Sequence, residues 1–453
     1  MPVHPVEYRY GSREMRRIFE RETWLEYMLM VEAALAEAHA AVGNIPREAA
    51  EAIRSKASTR FVKLERVNEL EAITRHEVVA VVKALAEAVG EPYGGYVHLG
   101  ATSNDITDTV LALQVREALR IVEMGLARLA KLTAEMAIKY KDTVCLGRTH
   151  GVAAIPITFG FKLAVWASEL KRHLERLSDL RDRVCVGKLT GAVGTMASLG
   201  DKAFEIQDYA MKILGLKPAE ITTQIVPRDG LAELVLTLSL ISSTLDKMAN
   251  EIRNLHRTEI REAEEAFEEA TQVGSSTMPH KRNPIGSEKI CGLAKIIRGF
   301  AIPALENVVQ EHERDLTNSS CERVMMPEVF LLLDEQLRTM HQVLSNLRVY
   351  PENMARNIEA TMGLIFSETV MIALARKGYD RQKAHELLRV SCLEAMRRGI
   401  HLKEVLKDTE VSVYLSDEEL DELFKPENYL GKAVELTERV ALSTLNFVEN
   451  LVS

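Results

Sequence analysis

The sequence predicts an all-α fold built around long helices. Three observations carry that prediction. Long stretches lack helix-breaking residues: residues 231–273 contain neither glycine nor proline, and residues 105–139 contain one glycine and no proline. Apolar residues recur at helical spacing, as at Leu25, Met28 and Leu29. Between these runs no segment reads as a β-alternating strand. With 47% hydrophobic and 27% charged residues, the 453-residue chain is globular and long enough for two or three domains with a large core.

Taken in order, Ser12 is placed to cap a helix running to about Ala41, with Gly43 just beyond its end. The loop-forming run Gly90-Glu91-Pro92-Tyr93-Gly94-Gly95 closes a first part, residues 1–93. A central part, residues 94–349, carries helices over 105–139, 157–186 and 231–273. The last of these, helical throughout, would span roughly 60 Å. Its stretch 231–240 is apolar on nearly every side, which calls for helical neighbours all round, some of them from other copies of the chain. A final part, residues 350–453, holds shorter helices broken at Gly378, Gly399 and Pro426. No internal repeat or low-complexity tract interrupts this organisation.

Composition excludes several classes. The net charge, 57 − 66 = −9, argues against non-specific nucleic-acid binding. The five cysteines are scattered and show no C-x-x-C spacing, as expected of free thiols in a reducing cytoplasm without a zinc site. Residues 1–15 lack the apolar core of a secretory signal. The stretch 231–245 is too short and too polar for a membrane span. The expectation is a cytoplasmic protein with neither nucleic-acid nor membrane partners. Asn and Gln are scarce, at 14 and 8, a trait of thermophilic proteins.

Four polar clusters stand at helix ends or in loops. The run from His98 through Thr102 and Ser103 to Asp105 precedes a long helix, whose free N–H groups suit an anion. Capping alone would explain one hydroxyl of that run. Gly147-Arg148-Thr149-His150-Gly151 places an imidazole, the natural proton donor near neutral pH, between glycines. Cys145 lies five residues before His150, but that closeness does not make a nucleophile pair. The segment Gly274-Ser275-Ser276-Thr277-Met278-Pro279-His280-Lys281-Arg282-Asn283-Pro284 combines hydroxyls, an imidazole, an ammonium, a guanidinium and an amide. Such a set can grip a small anion and move a proton. The last cluster, residues 311–323, sets Arg314 and Arg323 around Ser319; guanidinium forks match phosphate oxygens. Arg9-Tyr10 and Arg75-His76 are smaller pieces of the same kind. No glycine-rich phosphate loop and no metal-ligand spacing occurs, so no cofactor or metal is expected and the chemistry falls to side chains.

Residues 274–284 resemble the signature loop of the fumarase/aspartase superfamily, and the clusters at 98–105 and 147–151 resemble its other two blocks in the same order. Within it, His280-Lys281-Arg282 is similar to the adenylosuccinate lyase family and to carboxymuconate cycloisomerases. Arg314-Asp315 followed by Ser319-Ser320-Cys321-Glu322-Arg323 resembles the former. The resemblance implies a three-domain all-α fold and a homotetramer with a core of about twenty helices and active sites shared between subunits. It also implies fumarate elimination from a succinyl-purine nucleotide: adenylosuccinate to AMP, and SAICAR to AICAR.

The same resemblance implies residue roles. His150 is the general acid, with His76 orienting it or binding phosphate. Ser275 is the base, which requires Lys281 and backbone N–H groups to stabilise its alkoxide; His280 competes for that role. Lys281 and Asn283, with Thr102, Ser103 and Ser276, take the succinyl carboxylates, and Thr149 lies beside the substrate. Arg9, Tyr10, Arg75, Gln224, Arg314, Ser319 and Arg323 hold the nucleotide, and Glu288 pairs with a catalytic histidine. Two other readings exist: a carboxymuconate cycloisomerase, against which the 314–323 cluster speaks, and a non-catalytic helical scaffold, which would not need Ser275, Lys281 and His150.

Overall fold

The computed structural model describes residues 4–267, 277–278 and 280–452. Helices α1 (Arg13–Phe19), α2 (Arg21–Ala41), α3 (Arg47–Lys56), α4 (Leu64–Thr74) and α5 (Glu77–Val89) precede the long α6 (Ser103–Lys139). A hairpin of β1 (Val144–Thr149) and β2 (Val152–Thr158) leads into α7 (Phe159–Val184). β3 (Val186–Gly187), α8 (Ala203–Leu214) and β4 (Lys217–Pro218) lead to α9 (Asp229–Leu255). Next come β5 (Ala263–Glu264), α10 (Ile285–Gly299), α11 (Ala301–Glu306), α12 (Thr317–Ser345) and β6 (Arg348–Val349). The chain ends with α13 (Pro351–Glu359), α14 (Ser367–Arg376), α15 (Arg381–Arg398), α16 (Leu402–Lys407), α17 (Val411–Tyr414), α18 (Asp417–Leu423) and α19 (Ala433–Val452). The all-α expectation holds, and the described strands make three two-stranded sheets: β1–β2 and β5–β6 antiparallel, β3–β4 parallel.

Ser12 caps as expected, its hydroxyl accepting from the Met15 N–H at 3.1 Å. The helix it starts is not continuous to Ala41. Glu20 takes an extended conformation (ψ 146°) and divides α1 from α2. The expected helix over 231–273 is also shorter, since α9 stops at Leu255. No glycine or proline marks that end. Arg261 turns the chain in the left-handed region at φ 46°, and β5 then pairs with β6. Tertiary pairing overrides a strong local helix preference there. The expected helix over 157–186 begins at Phe159 instead, because Val144–Thr158 folds as a hairpin that the sequence reading did not anticipate.

The chain divides into two compact units. The first comprises Met1–Leu126, His173–Leu245 and Gly292–Arg338. Its buried apolar residues include Leu25, Met28 and Leu29 of α2, Leu113 and Leu119 of α6, Leu234, Val235 and Leu238 of α9, and Phe330 of α12, on which Phe19 stacks at 5.9 Å. Leu236 and Leu240, one turn apart on α9, remain 40% and 47% exposed, so that helix buries only part of its apolar surface within the chain. The second unit comprises Ala127–Arg172, Asp246–Cys291 and Thr339–Ser453. Val370, Leu374, Leu388, Leu402, Leu406 and Leu420 form a core there. A smaller cluster packs Leu146 of the hairpin with Ile358, Ile365 and Phe366, which fixes the strand leading to His150.

Candidate active site

In the first unit the start of α6 is anchored from below by a buried ion pair. Asp105 Oδ1 accepts the Lys188 ammonium at 2.5 Å, and neither side chain is more than 1% exposed. The carboxylate also accepts the N–H groups of Thr102 (2.8 Å), Thr190 (2.8 Å) and Gly191 (3.1 Å). The turn that carries Thr102 and Ser103 is thereby fixed at the N-terminus of a 37-residue helix, where free N–H groups and the helix dipole favour an anion. His98, in the left-handed region at φ 66°, bonds the buried Glu32 through Nδ1 at 2.7 Å. Burial works against a charged imidazole, but the Glu32 bond and the charges of Glu32 and Asp105 outweigh it and raise the His98 pKa above the ordinary 6.5.

His76 is the N-cap of α5, its Nδ1 accepting from the Val79 N–H at 3.4 Å. The proton then belongs on Nε2, which lies 3.4 Å from Ser103 Oγ. Arg75 precedes it as the left-handed C-cap of α4, φ 52°. Arg323 reaches back to Glu77 at 2.7 Å. Arg9 and Tyr10 adjoin a segment tied to α12: the Gly11 and Ser12 N–H groups donate to Glu335 and Asp334 at 3.3 and 2.6 Å.

The strongest convergence is at Arg314. Its Nη1 donates to Asn104 Oδ1 at 2.6 Å and to Gln224 Oε1 at 3.2 Å. Two of the sequence clusters, together with Gln224, therefore meet at one guanidinium. Both acceptors are neutral, and its Nε is buried without a hydrogen-bond partner among the described residues. Burial, the largest cause, holds its pKa below the ordinary 12.5. Gly194 brings the Gln224 loop close: it adopts φ 86°, and a Cβ there would stand 2.0 Å from the Thr222 carbonyl oxygen. Ser319 lies in the first turn of α12, whose start Asp315 caps through the Thr317 N–H at 2.6 Å.

In the second unit His150 occupies the tip of the β1–β2 hairpin. Thr149 pairs with Val152, leaving His150 and Gly151 as a two-residue loop with φ 54° and 77°. Positive φ at both positions is what a type I′ turn demands, and histidine tolerates it better than most residues. A register shift between Leu146 and Arg148 sets two β2 residues, Ala154 and Ile155, opposite Gly147, a bulge in β2. His150 is exposed, while Arg148 is held by a bidentate pair with the buried Glu262 at 2.6 and 3.0 Å. Cys145 is no rival nucleophile: burial pushes its thiol up to about 12.

Ser275, Ser276, Gly274 and Pro279 lie outside the described residues. Of the same loop, Thr277, His280 and Lys281 are exposed, and Asn283 is half-buried. Glu265 anchors the next helix, α10, accepting the Gly286 and Ser287 N–H groups at 3.0 and 2.6 Å. His256 ties the loop from the other side, with Nε2 3.3 Å from the Arg282 carbonyl oxygen. Glu288 is exposed in the first turn of α10.

Sequence reasoning missed Lys188, Asp108, Arg228 and Glu322, all buried and all tied to the residues above. One signal was available: Asp105 and Asp108 stand three apart, on one face of α6. Among the described residues no group of three or more His, Cys, Asp or Glu side chains is placed to hold a metal ion. No single helix among them is long and apolar enough to cross a membrane.

Two family models match the chain: one described as Lyase over residues 7–299, and one described as Adenylosuccinate lyase C-terminus over residues 363–440. The adenylosuccinate lyase of Pyrococcus abyssi (strain GE5 / Orsay) is 57% identical over 452 residues, covering 100% of this chain and 99% of that protein. That of Methanocaldococcus jannaschii is 48% identical over 447 residues, covering 98% and 97%. Among solved structures, the 3-carboxy-cis,cis-muconate lactonizing enzyme from Pseudomonas putida superposes with a TM-score of 0.89 at 36% identity, covering 98% of this chain and 99% of that one. A fumarate lyase from Mesorhizobium sp. BNC1 gives 0.89 at 33% identity, covering 97% and 99%. The higher identity to the former group, end to end, agrees with the C-terminal family match. The chain belongs to the adenylosuccinate lyase family of the fumarase/aspartase superfamily.

Proposed function

We propose that this chain removes fumarate from adenylosuccinate, giving AMP, and from SAICAR, giving AICAR. The reaction is a β-elimination. A base takes the proton from the carbon next to a succinyl carboxylate, the carbanion charge spreads into that carboxylate, and the C–N bond breaks as an acid protonates the leaving nitrogen. A carboxylate that already carries one negative charge must accept a second, so fixed cations and donors around it dominate the rate gain.

His150 supplies the acid, presented at a hairpin tip that Arg148–Glu262 holds in place. Ser275 is the base, with His280 as its competitor. Lys281, Asn283, Thr102, Ser103 and Ser276 take the succinyl carboxylates, the two α6 residues adding the helix dipole. Arg9, Tyr10, Arg75, His76, Thr149, Gln224, Arg314, Ser319 and Arg323 hold the remainder of the substrate, and Glu288 pairs with a histidine. The division of labour follows the three parts 1–93, 94–349 and 350–453. The working form is a cytoplasmic homotetramer, for which the exposed Leu236 and Leu240 on a central helix leave an apolar face to be covered by another copy.

The observation that carries this reading is Arg314, whose hydrogen bonds among the described residues go to two amide oxygens and to no carboxylate, which leaves its charge available to an anionic ligand. Purified chain mixed with adenylosuccinate should release AMP and fumarate in equal amounts; Arg314→Gln should weaken substrate and AMP binding. No AMP release from folded protein at neutral pH would dismiss the proposal.

A further inference from the structure

An amide side chain can offer either its oxygen or its NH2 by a half-turn, so the two amides at Arg314 need something to orient them. For Asn104 the deciding neighbour is Asp108, one turn along α6, with Oδ1 3.4 Å from Asn104 Nδ2. A carboxylate only accepts. It draws the NH2 group toward itself and leaves the oxygen for Arg314. Asp108 must stay ionised for this, although it is buried. Burial pushes its carboxyl up, but Arg228, with smaller help from the Val226 N–H, outweighs that and holds it below the usual range.

Arg228 donates Nη1 and Nη2 to Asp108, both at 2.9 Å, and Nε and Nη2 to Glu322 at 2.8 and 3.2 Å. Its Nη1 also donates to the Val226 carbonyl oxygen at 2.7 Å, while the Val226 N–H donates to Asp108 at 2.8 Å. Those two bonds fix the segment that carries Gln224, the second amide. One guanidinium between two carboxylates leaves a net negative charge. That charge lies one side chain removed from Arg314, joined to it through Asn104 rather than in contact. A carboxylate bonded directly to Arg314 would occupy the fork that an anionic ligand needs.

The geometry points to Asp108, Arg228 and Glu322 as positioning residues for the nucleotide site: they turn the oxygen of Asn104 toward Arg314, fix the backbone of the segment that carries Gln224, and balance the Arg314 charge from behind. The assignment rests on Arg314 holding an anionic group of the substrate, and it extends that reading to three residues that never touch the ligand.

A double-mutant cycle tests it. Asp108→Asn keeps the shape but replaces a pure acceptor with an amide that can present NH2 to Asn104. KM, kcat and the calorimetric Kd for AMP are measured on D108N, N104A, the double variant and R314Q. The expected result is a rise of about tenfold in KM and in Kd for D108N, with kcat changed by less than about threefold. In the N104A background D108N should add less than about threefold, because its effect passes through Asn104. Unchanged KM and Kd in D108N, or an equal factor in both backgrounds, overturns the positioning role. R314Q separates the two claims. Unchanged AMP affinity in R314Q removes the reading of Arg314 itself, whereas weak AMP binding in R314Q beside normal binding in D108N removes only the positioning role. Should D108N unfold, Arg228→Lys, which keeps the charge and loses the two-sided fork, is measured in its place: a rise in KM and in Kd for AMP with kcat little changed is expected, and unchanged KM and Kd overturn the positioning role.

Discussion

Arg148 and Glu262, 114 residues apart, form a bidentate ion pair beside the turn that presents His150. Glu262 is 1% exposed and Arg148 21%. The same carboxylate accepts Asn357 Nδ2 at 2.8 Å, so one acidic side chain ties the hairpin to the segment after α9 and to α13. Burial opposes the Arg148 charge, yet Glu262 outweighs it and raises the Arg148 pKa. Glu262→Ala would leave that guanidinium half-buried and unpaired. Breaking a buried pair costs about 3–5 kcal/mol, so urea unfolding followed by circular dichroism should show a loss of that order in the unit that contains it. A loss under about 1 kcal/mol would mean that the pair does not hold the hairpin.

Lys188 and Asp105 pose the same question at the start of α6. Lys188→Met removes the side-chain cation bonded to a carboxylate that otherwise, among the described residues, accepts from backbone N–H groups. The expected cost is again about 3–5 kcal/mol, accompanied by weaker substrate binding as the Thr102–Ser103 turn loosens. Thermal unfolding and KM measured on the same preparation check both parts.

His98 gives a pH dependence of defined sign. Its folded pKa is raised above the unfolded value of 6.5. The stability from its bond to Glu32 is therefore fully present below about pH 6.5 and disappears as pH rises through the folded value. His39 works the other way, because burial lowers its pKa despite the bond to the Leu99 carbonyl. The difference between the parent protein and His98→Gln isolates the first effect. Denaturant stability compared across about pH 6 to 9 should show that difference shrinking toward alkaline pH.

His150 and Lys281 are both exposed, so their loss should spare the fold. In the proposed roles, His150→Gln removes the acid and Lys281→Met removes a cation that would face the carbanion. Each should lower kcat by a factor on the order of 100 or more while the far-ultraviolet spectrum and melting temperature stay unchanged. Steady-state turnover beside a thermal melt distinguishes this from general damage.

The helical class was legible because long runs lack glycine and proline, and the Ser12 cap because its hydroxyl precedes a periodic segment. The end of α9 was not legible, since the residue that turns the chain is Arg261, which carries no breaker signature. The hairpin around His150 had a readable signal in His150-Gly151 flanked by β-branched Thr149 and Val152, but the helix-like pattern of residues 157–186 obscured it. Gln224 and Arg314 were named from the family resemblance rather than from spacing, and Asn104, which bonds Arg314 beside Gln224, was given no role in the sequence reading. Of the Asp108–Arg228–Glu322 network, only the spacing of Asp105 and Asp108 was legible, because burial and pairing over 94 and 120 residues are tertiary properties.

The decisive measurement incubates the purified chain with adenylosuccinate and quantifies AMP and fumarate together. Equimolar release of both is expected, abolished to near background in His150→Gln and Lys281→Met. Folded protein that yields neither product, or that yields them equally well in both variants, would contradict the proposed elimination.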